Sequence, residues 1–173
     1  MLDELLESNR RFVDGFDREG LTSRPGRQLA VLTCMDCRIE PSELLDLDVG
    51  DAAVVRNAGG RATPDALRSL LLATRLLGVE TVVVLHHTDC ALAGIDDDSV
   101  RRQLAASGAP AVDGVDVLAM PDPDAALAAD VEVLRTSSLL PEGTVVVGWR
   151  YDVATGRVMV VAGGPDDGDG TPI

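Results

Sequence analysis

The sequence contains no lysine at all, only two histidines, His86 and His87, and four aromatic residues, Phe12, Phe16, Trp149 and Tyr151. Each scarcity excludes something. With so few rings there is almost nothing for nucleobases to stack on. The net charge of −14 repels phosphate backbones and anionic lipid headgroups, so nucleic acid and membrane surfaces are poor partners. The missing lysine, with arginine supplying all 15 basic residues, reads as coding bias rather than mechanism. No apolar run approaches the roughly 18 residues of a membrane span, and the leading segment MLDELLESNRRFVDGF is acidic where a secretory signal is basic. These features together predict a cytoplasmic protein. Its three cysteines, Cys34, Cys37 and Cys90, are an odd number in a chain that reads as intracellular, which argues against a disulfide framework and for metal or thiol chemistry.

What is present fits one globular domain. A chain of 173 residues with 46% apolar and 25% charged residues buries one sizeable core. Residues 1–20 read as an N-terminal arm carrying an amphipathic helix over 2–16, with Leu2, Leu5, Leu6, Phe12, Val13 and Phe16 at mostly helical spacing. QLAVLTC reads as a buried strand ending near Cys34, and Pro41 opens a short helix through SELLDL. A strand through Val54 and Val55 leads into a glycine-rich loop, and Thr63 before Pro64 and Asp65 caps a helix that stops at Gly78. VETVVVLHH lacks polar alternation, as a strand buried on both faces does. Asp96, Asp97 and Asp98 read as the capped start of a helix, and Asp122 with Pro123 opens another reaching about Leu140. TVVVGWRY and RVMVVAG then form a hairpin through DVATG, and residues 163–173 read as a loose polar tail. The order predicts an α/β fold: a mostly parallel central β-sheet flanked by helices, closed by an antiparallel C-terminal edge hairpin, with the N-terminal amphipathic helix in front.

Ligands of open parallel sheets gather at the C-terminal ends of strands. Two separate pieces of this sequence end there with soft donors: Cys34 after the first strand, and His86, His87 and Cys90 after the third. Adjacent strand residues point to opposite faces, so His87 is the candidate ligand and His86 a packed neighbour. Two thiolates and one imidazole suit Zn²⁺ and leave a fourth tetrahedral position open, which marks a catalytic site. The same turn carries Asp36 and Arg38, an acid able to accept a hydrogen bond from metal-bound water and a guanidinium able to orient it.

The segments C-M-D-C-R at 34–38, R-N-A-G at 56–59 and H-T-D-C at 87–90 resemble the signatures of the β-carbonic anhydrase family. The resemblance is specific over roughly residues 1–105 and extends in strand and helix order to about 161. It implies one Zn²⁺ per chain on Cys34, His87 and Cys90, with Asp36 and Arg38 as a catalytic dyad. The implied reaction is reversible hydration of carbon dioxide to bicarbonate and a proton by zinc-bound hydroxide. It also implies a closed form in which Asp36 takes the metal, and a homodimer or higher homo-oligomer with the N-terminal helix across the partner. Arg56, Asn57, Gly59 and Gly60 are candidate cleft-lining residues. Some features depart from the family pattern: Cys37 stands where Ser or Ala is common, Ala91 and Leu92 replace two glycines, and Pro25 falls where some members carry glutamine. Three other readings remain open. Relatives of the same fold hydrolyse carbonyl sulfide or carbon disulfide; C-x-x-C at 34–37 is a redox motif; and a zinc-binding module without turnover would keep the ligands alone.

Overall fold

The computed structural model describes residues 1–110, 112 and 114–163. The expected tail lies outside these residues except for Gly163. Strands β1 (Leu29–Cys34), β2 (Ala52–Asn57), β3 (Thr81–His87), β4 (Val145–Tyr151) and β5 (Val158–Ala162) form one sheet in the order β2-β1-β3-β4-β5. The first four are parallel and β5 returns antiparallel to β4. The structure therefore has the mixed, mostly parallel sheet and edge hairpin expected from the sequence.

The helices are α1 (Leu2–Val13), α2 (Pro41–Leu44), α3 (Pro64–Leu76), α4 (Asp97–Ala106) and α5 (Pro123–Arg135), with a 3₁₀ turn at Ala58–Gly60. Their starts follow local chemistry. Thr63 accepts from the Ala66 amide, Asp96 from Ser99, and Asp122 from Asp124 and Ala125, each satisfying an otherwise orphaned first-turn N–H. Three helices are shorter than the sequence predicts, and one of these, α2, ends at Leu44 rather than running through Leu47. Helix α1 stops at Val13 rather than near 16, and the chain leaves it through turns in which the Gly15 and Phe16 amides donate to the Phe12 and Val13 carbonyls. Helix α5 stops at Arg135 rather than Leu140. There Thr136 and Ser137 compete for the backbone: Thr136 Oγ1 donates to the Glu132 carbonyl and Ser137 Oγ accepts from the Leu139 amide.

Strand parity sorts the core into two layers. Ala30, Leu32, Val82, Val84 and Val146 face α3 and α5, meeting Ala66, Leu70, Ala73, Leu127, Val131 and Leu134. Val31, Val83 and Leu85 face the other way, against Ile39, Met120, Cys34 and Cys90. At about 1.5–3 kcal/mol per fully buried large aliphatic side chain, these layers hold the sheet together. Helix α5 comes so close to β4 that a Cβ on Gly148 would lie 2.8 Å from Val131 Cγ2, so only glycine fits. Helix α1 buries none of its residues.

One ion pair crosses the first layer. Arg61, just past the 3₁₀ turn, donates through Nε to Asp130 Oδ2 of α5 at 2.6 Å and through Nη1 to the Leu118 carbonyl at 2.6 Å. Asp130 Oδ1 accepts the Ala62 amide at 3.1 Å. Burial pushes the Asp130 carboxyl up, but His86 and Arg61 beside it outweigh burial and leave it below its ordinary value. An acid held low in the folded state stabilises above its unfolded pKa of about 3.9 and loses that contribution as pH falls further. Replacing Arg61 by methionine strands a buried carboxylate, so Arg61→Met should cost about 3–5 kcal/mol at pH 7. The cost should be smaller at pH 4, where Asp130 in the variant takes up a proton. Urea denaturation at the two pH values checks both statements.

Candidate metal centre

Strands β1 and β3 are neighbours in parallel register, Thr33 opposite Leu85, so their C-terminal ends open side by side. Cys34 closes β1 and His87 closes β3, while the short turn after β3 brings Cys90 back. The ligand atoms of Cys34, His87 and Cys90 all lie within 4.8 Å of one another, and all three residues are buried. Among the described residues this is the group of soft donors able to hold one ion.

The chemistry of the donors fits zinc. Both ring nitrogens of His87 are buried without a hydrogen-bond partner, an expense that a coordinate bond removes. The two thiols cannot ionise independently at this separation. A hydrogen bond from Cys90 lowers Cys34 against the opposing effect of burial, with His87 and the backbone of Asp36 and Gly59 assisting. The same contact, with burial, pushes Cys90 up. A divalent cation is what allows both sulfurs to be anionic together.

His86 takes the opposite face, as strand parity requires. Its Nε2 lies 3.3 Å from Asp130 Oδ2, without the geometry of a hydrogen bond, on the side of the sheet covered by α5. Cys37 is exposed and stands outside the ligand cluster, while Cys34 is buried; all three cysteines are free.

Asp36 and Arg38 form a bidentate pair. Arg38 Nε donates to Asp36 Oδ1 at 2.9 Å and Nη2 to Oδ2 at 2.7 Å, and the Arg38 amide adds a third bond to Oδ1 at 2.9 Å. The guanidinium and that amide hold the Asp36 carboxyl well below the usual carboxylate range. Asp36, then Asp89, push Arg38 in turn further up, so the dyad is fully charged at any working pH. Asp36 Oδ2 lies 3.9 Å from His87 Nε2, which places the carboxylate beside the ligand cluster.

The glycine-rich turn after β2 supports this arrangement from below. Arg56 donates to the carbonyls of Cys34, Asp36 and Ile39 at 3.1, 2.8 and 2.8 Å, pinning the loop that carries Asp36 and Arg38. Asn57 closes the turn on itself, its side chain donating to the Arg61 carbonyl and accepting the Arg61 amide, both at 2.8 Å. Gly59 packs near Leu92, and Gly60 lies against the backbone of Thr33 and Cys34. Sequence reasoning missed two contributors. Asp89, between the two ligands of the second motif, grips Arg38 through Nη1 at 2.7 Å, and Asp130 braces the turn through Arg61. An acid inside H-x-x-C was the visible signal for the first; the partner of Arg61, 69 residues away, had none.

A family model described as carbonic anhydrase matches residues 29–108. Beta-carbonic anhydrase 1 of Mycobacterium tuberculosis is 31% identical over 92% of this chain and 96% of its own. A carbonic anhydrase structure from Streptococcus mutans superposes with a TM-score of 0.87 at 37% identity, covering 93% of this chain and 97% of that one. A carbon disulfide hydrolase of Acidithiobacillus thiooxidans is 31% identical over 91% of this chain and 89% of its own.

Gly60 has φ of +70°, and a Cβ there would lie 3.0 Å from the Cys34 nitrogen and the Thr33 carbonyl carbon. Both contacts are backbone, so neither yields easily. Gly60→Ala should therefore cost about 1–3 kcal/mol and displace Cys34. Zinc titration against a chelator should show weakened binding, with urea denaturation recording the stability loss.

Proposed function

The chain belongs to the β-carbonic anhydrase family, and on that footing we propose that it catalyses the reversible hydration of carbon dioxide to bicarbonate and a proton. One zinc ion per chain is held by Cys34, His87 and Cys90. The observation that carries this reading is the bidentate Asp36–Arg38 pair beside the ligand cluster. A purely structural zinc site has no use for it.

Zinc, when bound, supplies a Lewis acid that lowers the pKa of water to about 7. Asp36, ionised well below neutral pH, acts as a hydrogen-bond acceptor and orients the reacting oxygen by holding its proton. Arg38 keeps Asp36 charged and fixes its direction, while Arg56 restrains the loop on which both sit. Burial of all three ligands keeps bulk water from competing for the donors. Arg56, Asn57, Gly59 and Gly60 act as the floor of the cleft and brace it.

A second reading has a specific support: the likeness to a carbon disulfide hydrolase is as strong in identity as that to the mycobacterial anhydrase. Carbonyl sulfide and carbon disulfide are linear triatomic electrophiles like carbon dioxide, and the same residues serve their hydrolysis. A dithiol redox role has less support, because Cys37 faces solvent while Cys34 is turned into the ligand cluster.

The protein acts as a homodimer or higher homo-oligomer. Helix α1 exposes Leu2, Leu5, Leu6, Phe12 and Val13, an apolar row that a second chain would cover. A cytoplasmic location accords with three unpaired cysteines.

Zinc counting on the purified protein, with stopped-flow assays of carbon dioxide hydration and of carbonyl sulfide and carbon disulfide hydrolysis, tests the proposal. Absence of stoichiometric zinc overturns it, and hydrolysis of a sulfur substrate without carbon dioxide hydration replaces it with the second reading. Asp36→Asn should keep its zinc and lose on the order of a hundredfold in turnover. Cys90→Ser should lose the metal, and Cys37→Ser should keep both metal and turnover.

A further inference from the structure

Arg38 is 43% exposed and sits on a flexible stem, and an exposed ion pair two residues apart fixes little by itself. Yet its guanidinium is held from two sides. Nε and Nη2 face Asp36 at 2.9 and 2.7 Å, while Nη1 meets Asp89 Oδ2 at 2.7 Å and Nη2 meets the Asp89 carbonyl at 3.0 Å. Arg38 thereby ties the loop after β1 to the turn between His87 and Cys90, the two segments that carry the ligands.

Asp89 occupies a backbone conformation that suits this grip. Its φ is +55°, a left-handed geometry that a non-glycine residue rarely adopts. Its side chain is 78% exposed, so packing does not require a carboxylate there. The contact that sets Asp89 apart from a glycine at the same turn is the one its carboxylate makes to Arg38 Nη1, since a glycine would keep the carbonyl contact.

Asp36 has an alternative partner. Its Oδ2 is 3.9 Å from His87 Nε2, so a carboxylate released from the guanidinium is within easy reach of the ligand cluster and of any cation in it. Whether Asp36 stays with Arg38 or moves to the metal depends on how firmly Arg38 is held.

The geometry points to Asp89 as a positioning residue that clamps Arg38 onto Asp36 and so keeps the fourth coordination position open to small anions and substrate. This rests on the assignment of Cys34, His87 and Cys90 as zinc ligands. Removing the carboxylate loosens one side of the guanidinium and shifts Asp36 toward the metal, which lowers access for every exogenous ligand whatever its identity.

The test uses cobalt-substituted protein, whose visible absorption reports the ligands of the metal, titrated with azide. Asp89→Gly keeps the left-handed turn and removes the carboxylate; Asp89→Asn keeps the shape and removes the charge. Azide affinity should fall about fivefold in Asp89→Gly and less in Asp89→Asn, the scale of losing one partly exposed charged contact. Stability in urea should be unchanged or higher in Asp89→Gly, since glycine relieves the positive φ. In an Arg38→Ala background Asp89→Gly should change azide affinity by less than about twofold, because the residue acts through Arg38. Unchanged azide affinity in both single variants overturns the clamp, as does an undiminished effect in the Arg38→Ala background. A wild-type chain that takes up no cobalt overturns the zinc assignment and the clamp with it, whereas cobalt uptake with unaltered azide binding overturns the clamp alone.

Discussion

The parallel pairing of β1 with β3 is the constraint from which the rest follows. Parallel neighbours end on the same edge, and the register that sets Thr33 opposite Leu85 leaves Cys34 and His87 emerging together where the backbone leaves the sheet. Neither strand is free to slip, because each presents an alternating row to two buried layers, and a one-residue shift would turn every Val and Leu to the wrong layer. The precision of the candidate metal centre is thus borrowed from aliphatic packing several residues away.

The same alternation divides two adjacent histidines between two tasks. His87 turns toward Cys34 and Cys90; His86 turns toward α5 and Asp130. Through Asp130 and Arg61 the α5 layer reaches the turn at Ala58–Gly60, whose last glycine rests on the Cys34 backbone. A polar brace on one face of the sheet and a ligand set on the other are therefore mechanically joined across a single strand. Arg56 completes the frame by gathering three carbonyls of the loop that follows β1.

Much of this was legible in the sequence because it is local. Capping residues, prolines at first helical positions and unbroken apolar strands are short-range signals, and they located most elements to within a residue or two. The clustering of Cys34, His87 and Cys90 and the pairing of Asp36 with Arg38 were legible because two motifs with matching chemistry ended two adjacent strands. Contacts between distant segments were not. Nothing near Arg61 announces Asp130, and the acid inside H-x-x-C, though visible, does not name Arg38 as its partner, since each pairing exists only once the sheet has formed. The overrun of α5 has a different origin: apolar periodicity continues through Leu139 and Leu140, but the Thr136 and Ser137 hydroxyls claim the backbone first.

Helix α1 has twelve residues and buries none of them. Helices of that length are marginal in water on their own, because nucleation is costly and each added residue gains little. The tertiary layers that stabilise α3 and α5 give it no such support. In the proposed oligomer a second chain supplies its order by mass action, so the amide-exchange protection of residues 2–13 should track protein concentration while that of β3 does not. The first turn of the chain would in that case serve as an internal gauge of association, readable residue by residue without any label.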